Sequence, residues 1–145
     1  MNVHTTGGLY ACRPILCVES VRHSIAYYVG SLDFKLGWAW SEKEQRFLEP
    51  GDDTAPGFAL VGNGPVQLML CQKAQGAPGM WLHFDVDTAE QLDRIHDKWK
   101  RQGARIIEAP LLRPWGMYEM RVQDLDQHVL RVSSPGHKPT PSSNE

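Results

Sequence analysis

Charged side chains recur at alternate positions near the C-terminal end of the chain. In the stretch 117–132, the apolar residues fall on one strand face, which leaves Glu119, Arg121 and Arg131 on the opposite face. His128 falls on the apolar phase. A carboxylate among guanidinium groups can form internal ion pairs or orient the polar groups of a bound molecule. This charged face is therefore the first candidate for function, and the pattern leaves both uses open.

A second group of candidates lies on a strand predicted at 80–87. Alternation places Trp81, His83 and Asp85 on one face of that strand. A histidine at such a position can line a pocket and hydrogen-bond, or it can bind a metal ion. We interpret His83 as a pocket-lining residue that orients a ligand together with Asp85.

Aromatic and thioether side chains accompany the charged ones. Trp38 and Trp40 alternate on one predicted strand, and Met69 and Met117 have the phase that faces the same cavity. Surfaces of this composition hold planar or amphipathic molecules. The chain has no Ser/His/Asp arrangement, no paired carboxylates with an acid–base division and no glycine-rich phosphate loop. The pattern therefore predicts binding by stacking in preference to bond-making.

Two successive sets of elements must position these residues. The first set, over 11–73, is predicted as a strand at 11–18, a helix from Ser20 to Gly30, and strands at 34–40, 57–61 and 66–71. We expect Leu36 to share a strand face with Trp38 and Trp40. A linker rich in glycine and proline follows at 74–79.

The second set covers 80–133 and repeats the order of the first. It is predicted as the strand at 80–87, a helix that begins with a capping box of Thr88 and Gln91 and ends at Gly103, a strand at 104–112, and a hairpin at 115–132. Outside the two sets, composition predicts a flexible N-terminus over 1–10 and a disordered tail over 134–145.

Composition narrows the class of protein. The chain has 145 residues with a formal net charge of -2, so it has no basic surface for nucleic acid. No apolar run approaches the roughly 18 residues that span a bilayer, and we expect no membrane partner and a cytoplasmic protein. The three cysteines form no paired motif and are interpreted as buried cytosolic thiols.

The order of elements, together with three stretches of sequence, resembles the vicinal oxygen chelate superfamily, which includes glyoxalase I, extradiol dioxygenases, fosfomycin resistance proteins and bleomycin resistance proteins. The stretches are 13–28, 82–87 with its following helix, and 118–131. The last is similar to the family ending E-F-x-V-x-D-P-D-G-x-x-I/L, with Leu125 and Gln127 replacing Pro and Gly. The resemblance implies an α+β fold of two tandem βαβββ modules, which form a curved, cavity-enclosing mixed sheet with helices on its outer face.

Metal-using members of that superfamily place ligands, commonly His, Glu or Gln, on the first and last strands of each module. The resemblance puts Arg13, Trp81 and Arg131 at three such positions and Gln67 or Met69 at the fourth. Guanidinium and indole groups offer no lone pair to a divalent cation, and the positive charges of the two guanidiniums repel such a cation. We therefore predict no metal and no cofactor.

The leading hypothesis is a metal-independent small-molecule-binding protein of the glyoxalase/bleomycin resistance type, which sequesters an aromatic or cationic ligand such as an antibiotic. An acidic loop with Glu49, Asp52 and Asp53 beside the tryptophans would suit a cationic ligand. The resemblance also implies a homodimer. The predicted ligand-binding residues are Trp38, Trp40, Met69, Trp81, His83, Asp85, Met117, Glu119 and Arg131.

Two alternatives stay open at this point. A strand register two residues away would bring His83, Glu119 and Gln67 together as metal ligands. The protein would then be a metal-dependent lyase, isomerase or dioxygenase of the same superfamily. In the other alternative, the tryptophans bury a protein partner and the chain is an interaction subunit.

Overall fold

Two modules of similar order make up the fold, which a computed structural model describes over residues 7–136. The first module contains β1 (Ile15–Val18), α1 (Val21–Leu32), β2 (Lys35–Ser41), β3 (Arg46–Phe47), β4 (Phe58–Asn63) and β5 (Val66–Gln72). The second contains β6 (Trp81–Asp85), α2 (Ala89–Arg101), β7 (Arg105–Leu112), β8 (Met117–Gln123) and β9 (Val129–Pro135).

Each module forms one mixed sheet. The first sheet has the strand order β1-β5-β4-β2-β3, and the second has the order β6-β9-β8-β7. In each sheet the strand before the helix pairs in parallel with the last long strand, and the other pairings are antiparallel. The predicted α+β class with tandem modules is confirmed, and the two sheets are not joined into a closed barrel.

The helix ends follow from local side-chain chemistry, with one difference from the prediction. Thr88 and Gln91 form the expected capping box of α2. Helix α1 was expected to end at Gly30, which is wrong, because it continues to Leu32 and ends where Asp33 adopts a φ of 62°. A glycine inside a helix costs only about 1 kcal/mol, and burial of the Leu32 side chain offsets that cost.

The face predicted for Leu36 is also wrong. The register of β2 against β4 shifts between Leu36 and Trp38, so Leu36 lies opposite Val61 and Trp38 lies opposite Leu60. Since Val61 belongs to the buried face, Leu36 is turned away from the two tryptophans. A bulge at Gly37 explains the shift, because one extra residue changes which face the side chains take.

Strand boundaries differ modestly from the predicted ones. β1 begins at Ile15 instead of position 11, since Pro14 has no N–H for the ladder. β9 continues to Pro135, two residues past the predicted end of the module at 133. The short strand β3 was not predicted. The predicted flexible N-terminus and disordered tail lie largely outside the described residues.

One hydrophobic core serves both modules. It combines the helix-facing residues of the first sheet with those of the second and with both helices. Hydrogen bonds reinforce this contact, because Tyr27 Oη donates to the Gln123 carbonyl at 2.7 Å and Tyr28 Oη donates to Asp124 at 2.8 Å. The other face of each sheet, here called its open face, therefore points away from the shared core. Within residues 7–136, no helix is long and apolar enough to cross a membrane.

Candidate functional site

An aromatic groove lies on the open face of the first sheet. It is a cavity of about 740 Å³ with apolar walls from β2, β3 and β4. We define the aromatic groove by its four rings, Trp38, Trp40, Phe47 and Phe58. The ring centroids of Trp40 and Phe47 lie 4.8 Å apart, and those of Trp38 and Phe58 lie 5.6 Å apart. Rings held in this way offer a stacking surface to a planar molecule.

The charges near the aromatic groove are largely balanced. Glu42 and Lys73 line its rim with opposite signs. The acidic loop is not part of the groove wall, because Glu49 and Asp52 line a different cavity beside α1. Within this loop, Asp52 accepts a hydrogen bond from Arg46 at 2.9 Å. That hydrogen bond, with one from the backbone of Thr54, holds the pKa of Asp52 well below its usual range. Since the positive charge of Arg46 offsets the negative charge of Asp52, the loop offers less net attraction to a cationic ligand than its composition suggests.

Charged side chains form a row across the open face of the second sheet. His83 lies opposite Arg131, Arg131 lies opposite Arg121, and Arg121 lies opposite Glu108. The Arg121 guanidinium carbon is 5.4 Å from the ring centroid of Trp81, which is a cation–π contact. The strand alternation seen in the sequence therefore does bring an aromatic ring and two guanidiniums together.

Glu119 lies next to this row, and its side chain is fully buried. Its Oε1 accepts a hydrogen bond from Ser133 Oγ at 2.9 Å and lies 3.4 Å from Arg131 Nη2. Its Oε2 accepts from Arg121 Nε at 3.0 Å and lies 4.0 Å from Arg113 Nε. We call Arg113, Arg121 and Arg131 the arginine cluster. Of the two uses that the sequence left open, the internal ion pairing is the one observed.

Opposing effects set the pKa of Glu119. Burial raises the pKa, but the hydrogen bonds from Ser133 and Arg121 and the charges of Arg131 and Arg121 outweigh it. The net pKa lies below the ordinary value of 4.5. The carboxylate is therefore ionised at neutral pH, and both of its oxygens are occupied by donors of this chain.

The turn between β8 and β9 fixes the register that assembles the arginine cluster. Asp124 accepts the hydrogen bond from Tyr28 and two more from the backbone N–H groups of Asp126 and His128, at 2.8 and 3.0 Å. Burial raises the pKa of Asp124 more than these partners lower it. Gln127 adopts a φ of 68°, the left-handed conformation that a glycine normally supplies in such a turn.

His128 is a structural residue, as its strand phase predicted. It is completely buried, and its Nδ1 accepts a hydrogen bond from the Met80 N–H at 2.9 Å. Nε2 lies 2.8 Å from the Cys17 carbonyl oxygen and must donate to it. These partners assign the neutral tautomer that carries its proton on Nε2, and they tie the second module to β1.

The nine predicted ligand-binding residues divide between two surfaces. The first sheet carries Trp38, Trp40 and Met69, and the second sheet carries the others. Because the two open faces point away from the shared core, one chain alone does not bring the two sets together. The residues on the second sheet are Trp81, His83, Asp85, Met117, Glu119 and Arg131.

Several residues of these surfaces were not among those predicted. Phe58 completes the aromatic groove, and its alternation with Leu60 on β4 was a usable signal. Phe47 lies on a strand of two residues, which is too short to show a period. Bulges in the pairing of β7 with β8 bring Arg113 into the arginine cluster and Glu108 against two of its members, which no strand pattern reveals.

The family follows from a comparison with known sequences. The profile of the glyoxalase/bleomycin resistance protein/dioxygenase superfamily matches residues 4–132. The chain belongs to this superfamily. Among curated proteins, none matches the chain.

Several solved structures share the fold of this chain. TioX from Micromonospora sp. ML1 has 17% identity and a TM-score of 0.66, over 86% of this chain and 99% of that chain. A glyoxylase/bleomycin resistance protein/dioxygenase domain from Frankia sp. EAN1pec has 19% identity and a TM-score of 0.63, over 88% of this chain and 99% of that chain. A bleomycin-binding protein complexed with bleomycin has 19% identity and a TM-score of 0.63, over 87% of this chain and 98% of that chain.

The residues present do not fit the metal site of the superfamily's metal-using members. At the positions matched to ligands, Arg13 Nε donates to Gln67 Oε1, so that amide oxygen is occupied. Glu119 is enclosed by the arginine cluster, and a cation there would displace guanidiniums. Within the described part of the chain, no three His, Cys, Asp or Glu residues are placed to hold a metal ion.

Proposed function

We propose that this protein binds a small aromatic molecule in the aromatic groove without the help of a metal ion. The observation that carries the proposal is the cavity of about 740 Å³ with four preorganised rings in its wall. A cavity of this size is within the range of sites for drug-sized ligands. The bleomycin-binding neighbour supports antibiotics as one ligand class to test.

Metal independence is supported by the chemistry at the positions that match metal ligands. Two of these positions carry guanidiniums, which have no lone pair to donate. The one buried carboxylate nearby, Glu119, is already neutralised by cations of the chain itself. The ligand is therefore held by ring contacts and hydrogen bonds, and no bond-making step is assigned.

We propose further that the binding form is a homodimer. The aromatic groove is open in one chain, and the open face of the second sheet is likewise uncovered. That face exposes apolar surface, because Trp81 is 55% and Leu111 is 56% exposed. A second copy of the chain could place its second sheet over the groove, which would join the two sets of predicted residues. Light scattering should then give twice the chain mass of 16.4 kDa.

Replacement of Trp38 by alanine tests the binding site directly. Calorimetry with 2-naphthamide, a neutral planar molecule, and with metal-free bleomycin should show which ligands wild type binds. Loss of a stacking anchor costs about 1 to 3 kcal/mol, so affinity for a bound probe should fall about 5- to 150-fold. Trp38→Phe should retain most of the affinity. Trp115→Ala is the matched control, because Trp115 is exposed and does not line the groove. Equal affinity of wild type and Trp38→Ala would contradict the assignment.

A further inference from the structure

We propose that the arginine cluster binds the carboxylate of an aromatic acid, through Arg131 and Arg121 and beside the ring of Trp81. This inference goes beyond the proposed function, because it assigns a second ligand site, on the open face of the second sheet and apart from the aromatic groove. The ligand of this site is an anion, in contrast to the cationic ligand that the acidic loop suggested. Four observations on the second sheet support it.

The first observation is an excess of positive charge. Three guanidiniums face two carboxylates, since Glu108 pairs with Arg113 at 2.6 Å and with Arg121 at 3.7 Å, and Glu119 bridges the cluster. One positive charge is left without a partner among these residues. A single anionic group would balance it.

The second observation concerns the donors of Arg131. Its one ion pair is to Glu119, at 3.4 Å, and its guanidinium makes no hydrogen bond within residues 7–136. Arg131 Nε is buried and unpartnered, as is Arg113 Nε. A buried donor left unpaired is costly, and a guanidinium is a fork that suits a planar carboxylate. Since the side chain remains 34% exposed, a ligand can still reach the outer nitrogens.

The third observation concerns the groups that might compete for Arg131. His83 faces Arg131 across the strands, but its Nε2 is paired with Asp85 Oδ1 at 3.0 Å. The Asp85 side chain is 77% exposed, so water screens its charge. Arg113 is only 10% exposed and pairs with Glu108, so it is less accessible to a ligand than Arg131.

The fourth observation is the aromatic surface beside the charges. Trp81 holds the Arg121 guanidinium near its ring and still exposes half of its own surface. A ligand with a carboxylate on Arg131 can therefore rest its ring against Trp81. The single excess charge matches a carboxylate monoanion better than a phosphate dianion. These features together favour an aromatic carboxylic acid.

A matched pair of probes tests this inference. The probes are 2-naphthoate and 2-naphthamide, which share a ring system and differ in charge. Calorimetry on wild type should show naphthoate binding about 10- to 100-fold more tightly, the range expected for charge-assisted hydrogen bonds. Arg131→Met should remove this preference. Arg101→Met, on the exposed surface of α2, deletes the same charge elsewhere and should keep the preference.

Two further measurements cover the folding of the variant and the nature of the anion. If Arg131→Met does not fold, Arg131→Lys retains the charge without the fork and should lose most of the preference. The NMR signal of Arg131 Nε–H should shift on addition of benzoate and should shift less with inorganic phosphate at equal ionic strength. A larger response to phosphate would overturn the choice of a carboxylate.

The outcomes separate this inference from the proposed function. Equal binding of the two probes, with no change in Arg131→Met, would overturn the carboxylate site and leave the aromatic groove standing. A benzoate shift at Arg131 without any binding of naphthamide would support the carboxylate site and contradict the groove. No response of Arg131 to benzoate and no naphthoate preference would refute the inference.

Discussion

Replacement of Glu119 by glutamine should destabilise the protein strongly, although Glu119 contributes nothing to the hydrophobic core. The carboxylate is fully buried and lies among three guanidiniums, two of which it contacts within 3.4 Å. Glutamine would keep an acceptor for Ser133 but would turn an amide NH₂ group toward Arg121. Removal of one partner from a buried ion pair costs about 3 to 5 kcal/mol.

We expect the lower end of that range, about 3 kcal/mol, because Arg121 and Arg131 are partly exposed and water can relieve their charge. For a domain of this length, this loss lowers the melting temperature by roughly 6 to 12 °C. Urea unfolding followed by tryptophan fluorescence measures the free energy of unfolding directly. Glu108→Gln is the matched control, because Glu108 contacts two of the same three arginines but is 44% exposed. It should cost less than about 1 kcal/mol.

The effect of Glu119→Gln on the free energy of unfolding should depend on pH, in a direction set by the pKa of Glu119. The pKa of Glu119 in the folded protein lies below 4.5, so its ionised form stabilises the fold above that pH. The stabilisation is lost as the pH falls through the folded pKa. The difference between wild type and Glu119→Gln should therefore be largest at neutral pH and should shrink well below pH 4.5. A cost under about 1 kcal/mol at neutral pH, or a difference that grows in acid, would show that the buried charge of Glu119 does not stabilise the fold.

Two further stability predictions concern the contact between the modules and the linker. Tyr28→Phe removes the donor to Asp124 and should cost about 1 to 3 kcal/mol in urea unfolding. The hydrogen bond from Tyr28 favours the ionised form of Asp124 and lowers its pKa against the larger effect of burial. The cost of Tyr28→Phe should therefore be larger at neutral pH, where Asp124 is ionised, than in acid. A cost that does not change with pH would contradict this prediction. Gly76→Ala should cost more than about 1 kcal/mol, because Gly76 has a φ of 86° and an added Cβ would lie 2.7 Å from the Ile15 carbonyl oxygen. The matched variant Gly30→Ala, in open space on α1, should stabilise the fold by up to about 1 kcal/mol. Equal effects of the two variants would show that the backbone at Gly76 tolerates a side chain.

Regular alternation was the part of the sequence that predicted structure best. The face of Glu119, Arg121 and Arg131 was predicted from it and was found as expected, because a strand repeats every two residues without reference to distant contacts. The capping box of α2 was equally readable, since its hydrogen bonds are local.

The features that escaped prediction depend on irregular backbone or on distant segments. A bulge at Gly37 turned Leu36 to the other face, and bulges in β7 placed Glu108 beside Arg121. Phe47 reached the aromatic groove from a strand of two residues. The separation of the predicted site into two surfaces followed from the shared core of both modules, which no local pattern encodes.

We propose that ring contacts, and not a coordinated cation, hold the ligand of this protein. The most direct measurement is the thermal stability of chelator-treated protein against nickel, zinc and manganese, each alone, and against 2-naphthamide, 2-naphthoate and bleomycin without metal. We predict that at least one aromatic molecule raises the melting temperature in proportion to the logarithm of its concentration above Kd, and that no cation does. A cation that binds one per chain, raises the melting temperature and is required for the aromatic molecules to bind would contradict a metal-independent site.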